Sequence, residues 1–313
     1  MDPEIFDAAF DKIRAAHIGQ EDALENVRDW LEAACFGLGE PGRPLASFLL
    51  LGPTGVGKTE LVKLISKHLC EDQLARFDMS EYMGSDSYER FLQQIAHHHE
   101  EGRILEPRLD GVPTSPCILL FDEMEKAHPK ILDLFLQMLD DARVTLLDHR
   151  TLNLSNAFLS FTSNLGSHLL KSGSNLPRAT RDRIVKDYAK ANLRPEFWAR
   201  FNLQLVFQFL DTRTQFKIAK LQLSSLLQTL RDSNHQLEIA HDEAFLEHCV
   251  REGVDTQLGL RPLRNVLYQA TRLGAARAVR QGITSGTLSA EDGQVRFLPT
   301  QQPSQQPTQP TAP

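Results

Sequence analysis

The octapeptide "GPTGVGKT", Gly52 to Thr59, restricts what this chain can fold into more than any other stretch. It fits the pattern G-x-x-x-x-G-K-[ST] and lies between an apolar run, "SFLLL", and a helical pattern, "ELVKLISKHL". A turn of that composition between strand and helix is a cradle for phosphate. Its glycines let the backbone curl until successive N–H groups face one point, and the helix N-terminus behind them adds partial positive charge. Gly52, Pro53, Thr54, Gly55, Val56 and Gly57 are the expected cradle, with Glu60 in the first helical turn. Lys58 is expected on the β- and γ-phosphates of a nucleotide and the Thr59 hydroxyl on Mg²⁺. A glycine-rich turn without a ligand is the competing reading.

A second run, "CILLFDEMEKAHP", carries Asp122 and Glu123 to the end of another apolar segment. Asp122 is expected to hold Mg²⁺, directly or through water, and Glu123 to polarise an attacking water as general base. Alone, Asp-Glu after an apolar strand is often a capped strand end. Downstream of a phosphate loop it points to a nucleotide hydrolase. The runs "SFLLLG", "CILLFD", "AFLSFTS" (Ala157 to Ser163) and "LQLVFQF" (Leu203 to Phe209) are apolar without alternation, which suits parallel strands covered on both faces by helices. The expected fold is therefore α/β, with ligands at the carboxyl edge of the sheet.

Beyond about Leu210 the pattern changes: Phe216, Ala219, Leu223, Leu226, Leu227 and Leu230 fall at helical spacing, with further helical stretches through about Gln281. The expected domains are a large one over residues 1–210 and a smaller, mainly helical one over 211–298. The Gln/Pro-rich tail, 299–313, has too little apolar surface to offset its ordering entropy and is expected to be disordered. A formal charge of −7 with mixed signs argues against a protein that coats DNA. No leader-like start or long apolar run suggests export or a membrane, and the four scattered cysteines suit buried small hydrophobes in a reducing compartment. A cytoplasmic protein, with neither nucleic-acid nor membrane partner, is expected.

The motifs "GPTGVGKTEL", "FDMSEY", "LLFDEMEKAHP", "LDDARVT" and "TSNLGS", in that order, resemble those of the AAA+ ATPases of the Clp class. The likeness is to the second ATPase module of the ClpA/ClpB unfoldases and disaggregases, and runs from about Ile13 to Pro299. It implies an AAA+ P-loop NTPase with a five-stranded parallel sheet and a helical C-terminal lid, using ATP and Mg²⁺. "HIGQ" resembles the segment that packs on adenine, which places His17 and Ile18 against the base, although an ordinary turn before a helix has the same composition. The resemblance implies that Asn164 is the first sensor, touching the γ-phosphate or the attacking water. In "LRPEFWARFN" it implies that Arg200 is the finger reaching a neighbour's site, with Arg194 the competing candidate and a surface salt bridge the plain alternative. In "GLRPLRNVL" it makes Arg261 the second sensor. An arginine supplied in trans accelerates hydrolysis by about 10³–10⁵, so a ring homo-oligomer, a hexamer by resemblance, is expected.

Two stretches depart from the pattern. The resembled unfoldases carry a G-Y-V-G loop that grips polypeptide in the pore. Here the corresponding region, "MSEYMGSDSYERFLQQIAHHHEEGRILEPRLDGVPTSPCILLFDE", has none, and three histidines lie close by. His97, His98 and His99 cannot all converge on one ion, since adjacent helical side chains diverge by about 100°. They are expected to form a solvated helix end or loop, or else a modified pore or partner contact with Tyr88 or Phe91 as the aromatic. The second pore loop, "DDARVTLLDHR", lacks the usual glycines and is expected to keep a hairpin with a stiffer, more apolar tip at Leu146 and Leu147. No I-G-[LF] tripeptide for docking a ClpP-type peptidase is found.

The leading expectation is ATP-dependent protein remodelling by a ring, through an adaptor or on a dedicated partner. The alternatives are an AAA+ regulator or loader acting on DNA-bound complexes, and a nucleotide-dependent assembly switch.

Overall fold

The computed structural model describes residues 1–107, 115–172, 175–233, 238–255, 258–283, 285–291 and 293–300. Residues 301–313, most of the expected disordered tail, lie outside them. The chain divides into two units, Met1–Leu210 and Asp211–Pro313.

The first unit begins with two helices, α1 (Pro3–Ala16) and α2 (Glu21–Cys35). Asp2 starts α1 by accepting the Glu4 N–H, with Pro3 in the first turn, where its missing N–H costs nothing. The apolar positions Phe6, Ala9, Phe10 and Ile13 then fall on one face, and all are buried. Alternation of strand and helix follows: β1 (Ala46–Leu51), α3 (Lys58–Leu69), β2 (Leu74–Asp78), α4 (Ser87–Glu100), β3 (Cys117–Asp122) and α5 (Pro129–Asp141). A short antiparallel hairpin, β4 (Arg143–Thr145) and β5 (Thr151–Asn153), precedes β6 (Ala157–Ser163). Helices α6 (Ser167–Ser172), α7 (Arg178–Asn192) and α8 (Pro195–Trp198) lead to the last strand of the unit, β7 (Leu203–Val206).

The sheet order is β2-β3-β6-β1-β7, and every neighbouring pair is parallel. Side chains on each strand alternate between two cores. Leu49, Leu51, Leu119, Phe121, Leu159 and Phe161 face the layer of α4 and α5. Phe48, Leu50, Ile118, Leu120 and Phe158 face the layer of α1, α2 and α3. Two covered faces are why the strands read as unbroken apolar runs. Phe135 of α5 sits within a cluster of rings, with centroids 4.5 Å from Phe121, 5.1 Å from Phe161 and 5.8 Å from Phe91.

Phe91 is fully buried in this cluster and Tyr88 packs against the same core, so Phe91 is no substitute pore aromatic. The histidines end α4 as helix, not loop, and His98 turns inward at 7% exposure. The β4/β5 hairpin is present, but of its two leucines Leu146 is buried and Leu147 exposed, because Leu146 closes the core under the turn.

In the second unit, α9 (Thr212–Ser233), α10 (Glu243–Gly253) and α11 (Leu263–Arg280) surround Leu223, Phe245, Leu263, Leu267 and Leu288. Helical periodicity alone misses its three-stranded sheet, formed by β8 (Glu238–His241), β9 (Ser285–Glu291) and β10 (Gln294–Pro299). The signal was present as Asp-Gly at 292 and 293 between alternating segments, a hairpin signature. Pro299, assigned from sequence to the tail, ends β10. Among the described residues no helix is long and apolar enough to cross a membrane, and all four cysteines are free, three of them buried.

Phe135→Ala should cost about 3–5 kcal/mol, the usual range for emptying a fully buried phenylalanine site. Urea unfolding of the variant checks this, and a loss below about 1 kcal/mol would mean the ring cluster is not the centre of this core.

Candidate functional site

The carboxyl ends of β1, β3 and β6 converge, and the phosphate-type turn lies among them. Two of its glycines are required by geometry. Gly52 has φ 137°, and a Cβ there would lie 2.4 Å from the Phe207 carbonyl oxygen. Gly57 has φ 103° and starts α3 in the left-handed region, where a Cβ would approach His17 Nε2 to 3.0 Å. Only a residue without a side chain holds either conformation at so close an approach.

His17 is 4% exposed, with Nε2 3.1 Å from the Gly57 carbonyl oxygen and its ring edge-on to Phe207 at 6.1 Å. Burial pushes its pKa down, favouring the neutral ring. The side chain expected on a base thus underpins the turn itself, while Ile18 beside it is half-buried. The sequence reading passed over Gln20, the last residue of the same "HIGQ". Fully buried, it donates to the Gln208 and Val56 carbonyls at 2.9 and 3.4 Å and accepts the Gln208 N–H at 3.2 Å. It ties the turn to the chain leaving β7.

Lys58, 8% exposed, donates to the Gly52 carbonyl, to the Pro53 carbonyl at 2.7 Å and to Asn164 Oδ1 at 2.9 Å. Burial pushes its pKa down to about 8, against the pull of Glu125, Asp122 and Glu123. Asn164 spends its amide on Glu123, donating to Oε1 at 3.1 Å, and its backbone N–H goes to Glu125 Oε1 at 3.0 Å. The other Glu123 oxygen meets Lys126 Nζ at 2.6 Å, an interaction that raises the Lys126 pKa. Glu123 itself stands at φ 56°, where its N–H reaches Thr162 Oγ1 at 3.0 Å. Lys58, Asn164, Glu123 and Lys126 therefore form one continuous polar chain across the strand ends.

Asp122, 5% exposed, accepts from Thr59 Oγ1 at 3.0 Å and Thr162 Oγ1 at 2.9 Å on Oδ1, and from Arg76 at 2.7 Å on Oδ2. A hydroxyl and a carboxylate oxygen side by side are hard ligands of the kind Mg²⁺ takes. The residues present fit that ion. Arg76 and Thr162 were not singled out from sequence, because nothing local marks an arginine on β2 or a threonine in an apolar strand.

Within the first unit, Glu60, Arg194 and Arg200 are not part of this hydrogen-bonded group. Glu60 is exposed in the first turn of α3. Arg200 donates to Asp140 Oδ2 at 2.6 Å and to the Glu196 carbonyl at 2.7 Å. Arg194 pairs with Asp133. Arg261 is exposed in the turn just before α11 of the second unit.

The model of an AAA domain of the Cdc48 subfamily matches residues 43–204, and that of the C-terminal D2-small domain of ClpB matches residues 210–284. The chain is 36% identical over 286 residues to the mitochondrial chaperone protein ClpB4 of Arabidopsis thaliana, covering 88% of this chain and 29% of the relative. It is 37% identical over 289 residues to the chaperone protein ClpB of Vibrio cholerae, covering 89% of this chain and 33% of the relative. The chain thus spans about a third of the length of these curated relatives. Among solved structures, the Saccharomyces cerevisiae Hsp104–ADP complex superposes with a TM-score of 0.77 at 26% identity, over 95% of this chain and 53% of that one. With the parallel sheet, the phosphate-type turn and the Asp-Glu strand end in place, the chain belongs to the Clp class of AAA+ ATPases, in its ClpB branch.

Proposed function

We propose that this chain hydrolyses ATP at the β1/β3/β6 edge and uses the resulting motion to remodel another protein. The observation that carries the reading is the unbroken polar chain from Lys58 through Asn164 to Glu123, set beside the Thr59–Asp122 pair. A base, a cation for phosphate and a hard-oxygen pair within one cleft are what phosphoryl transfer to water needs.

In this reading the turn from Gly52 to Gly57 cradles the phosphates, and Lys58 turns from its carbonyl partners to the β- and γ-oxygens. Thr59 and Asp122 would hold Mg²⁺, which would supply charge neutralisation to the phosphates. Glu123 orients and deprotonates the attacking water, with Asn164 fixing its direction. The 2.6 Å contact with Lys126 must loosen first, since a carboxylate held in an ion pair is a poorer base. Ile18 meets the base, and His17 keeps the turn in shape.

Arg261 acts as second sensor, and Arg200 acts on a neighbouring protomer's cleft after leaving Asp140. Such a division makes a ring, a hexamer by family likeness, the working form. The partner is a protein, and a dedicated partner or adaptor is favoured over general threading. In the two stretches where the family grips polypeptide, the exposed large apolar side chains among the described residues are Met83 and Leu147, neither of them aromatic. A reducing, cytoplasmic setting suits four free cysteines.

Three measurements test this. Glu123→Gln should bind ATP, barely turn it over, and retain its partner. Co-purifying proteins support remodelling, whereas bound DNA, or no partner but the chain itself, sinks it in favour of a DNA-directed or a purely assembling ATPase. Turnover per chain should rise with protein concentration, and Arg200→Ala should lower the plateau by about 10³-fold or more. Concentration-independent turnover, unchanged in Arg200→Ala, would remove the trans arginine. Finally, Lys58 titrates near pH 8 in the free protein, and phosphates favour its charged form. Nucleotide binding at about pH 9 should then take up a proton, and affinity should fall as pH climbs past 8, with no uptake at about pH 6.5. Calorimetry in buffers of different ionisation enthalpy reads this directly, and equal proton uptake at both pH values would contradict it.

A further inference from the structure

The last turn of α4, away from the cleft, gathers three ligand-bearing side chains. His97, His98 and Glu101 bring two imidazole nitrogens and a carboxylate oxygen within 4.8 Å of one another. Nδ1 of His97 and Nδ1 of His98 each lie 3.5 Å from the same atom, Glu101 Oε2. A tetrahedral ion with ligands at ~2.0–2.1 Å sets its ligand atoms about 3.3 Å apart. Three histidines in a row cannot converge, and His99 does turn away, to Glu106 at 3.3 Å. Glu101 resolves the geometry for the other two. It stands four residues after His97 and three after His98, and both spacings are neighbours on a helix surface.

His98 supplies an independent observation. It is 7% exposed, its ring is fixed edge-on against Phe77 at 5.1 Å, and its Nδ1 is buried without a hydrogen-bond partner. Its other nitrogen, Nε2, faces the Gln94 amide at 3.3 Å. The Gln94 amide N–H donates to Nε2, which leaves the ring proton on Nδ1, facing Glu101 Oε2 at 3.5 Å. At that distance the buried Nδ1 makes no hydrogen bond to Glu101, and an ion between them supplies the partner it lacks. A metal ion bound there displaces that proton and takes the Nδ1 lone pair.

We propose that His97, His98 and Glu101 form a site for a divalent transition-metal ion of the zinc class, with its fourth position open to water. Two imidazoles and one carboxylate suit such an ion better than Mg²⁺ or Ca²⁺, which take oxygen ligands. The guanidinium of Arg103 now holds Glu101 Oε2 at 3.1 Å, so the ion and Arg103 compete for one carboxylate. Occupied, the site fastens the end of α4 to the turn that follows it, where the Arg103 N–H already reaches the His98 carbonyl at 2.9 Å.

The test is titration of the chelator-stripped full chain with zinc chloride, with cobalt(II) as the spectroscopic probe. One equivalent should bind per chain, and cobalt should give the absorption of a four-coordinate site without a thiolate band. Glu101→Gln and His97→Ala should each weaken binding at least about tenfold, and His99→Ala should leave it unchanged. Arg103→Ala should tighten it by removing the competing cation. His98→Gln alters a buried residue and can unfold the helix end, so the exposed Glu101 and Arg103 variants decide the matter. Binding that Glu101→Gln leaves intact, loss in His99→Ala equal to that in His97→Ala, or millimolar binding at several sites, an adventitious ion only, would each overturn the proposal.

Discussion

The cleft is organised around a single buried carboxylate. Asp122 is 5% exposed at the end of a central strand, and a charge in that position persists only if its oxygens are satisfied. Thr59 from α3, Thr162 from β6 and Arg76 from β2 satisfy them, so one side chain fixes the relative positions of three elements around β3. Thr162 does more, since its hydroxyl donates to Asp122 and accepts the N–H of Glu123. The strained φ of 56° at Glu123 is held in place by that bond, and it aims the carboxylate toward Asn164. Strain at a functional residue persists where the surroundings over-determine it, and here they do.

The same reasoning separates what was legible in the sequence from what was not. "GPTGVGKT" was legible because its glycines answer to backbone geometry, and the structure shows a clash at Gly52 and a close contact at Gly57 for any side chain. The strands were legible because both faces of the sheet are covered, leaving no alternation to confuse with a half-exposed strand. Arg76, Thr162 and Gln20 were not, because their roles arise from contacts across the sheet or over a long span of chain, as between Gln20 and Gln208. The β8–β9–β10 sheet was hidden by the strong helical pattern before it. At the histidines, counting three like residues obscured the pair that shares Glu101.

Arg200 is bound to Asp140 and Glu123 to Lys126, so both proposed catalytic groups are paired at rest. Under the proposed function, both must change partners when nucleotide and a neighbouring chain arrive. Elsewhere in the first unit Phe91 and Leu146, from the two stretches that depart from the family pattern, are buried in its core.

The most direct measurement is phosphate release from Mg-ATP by the full chain, run beside Asp122→Asn, which keeps the shape of the side chain and removes its charge. The account predicts steady release by the native chain once it assembles, and loss of Mg²⁺-dependent release in the variant. Equal release by both, or none by the native chain at any concentration, would contradict it.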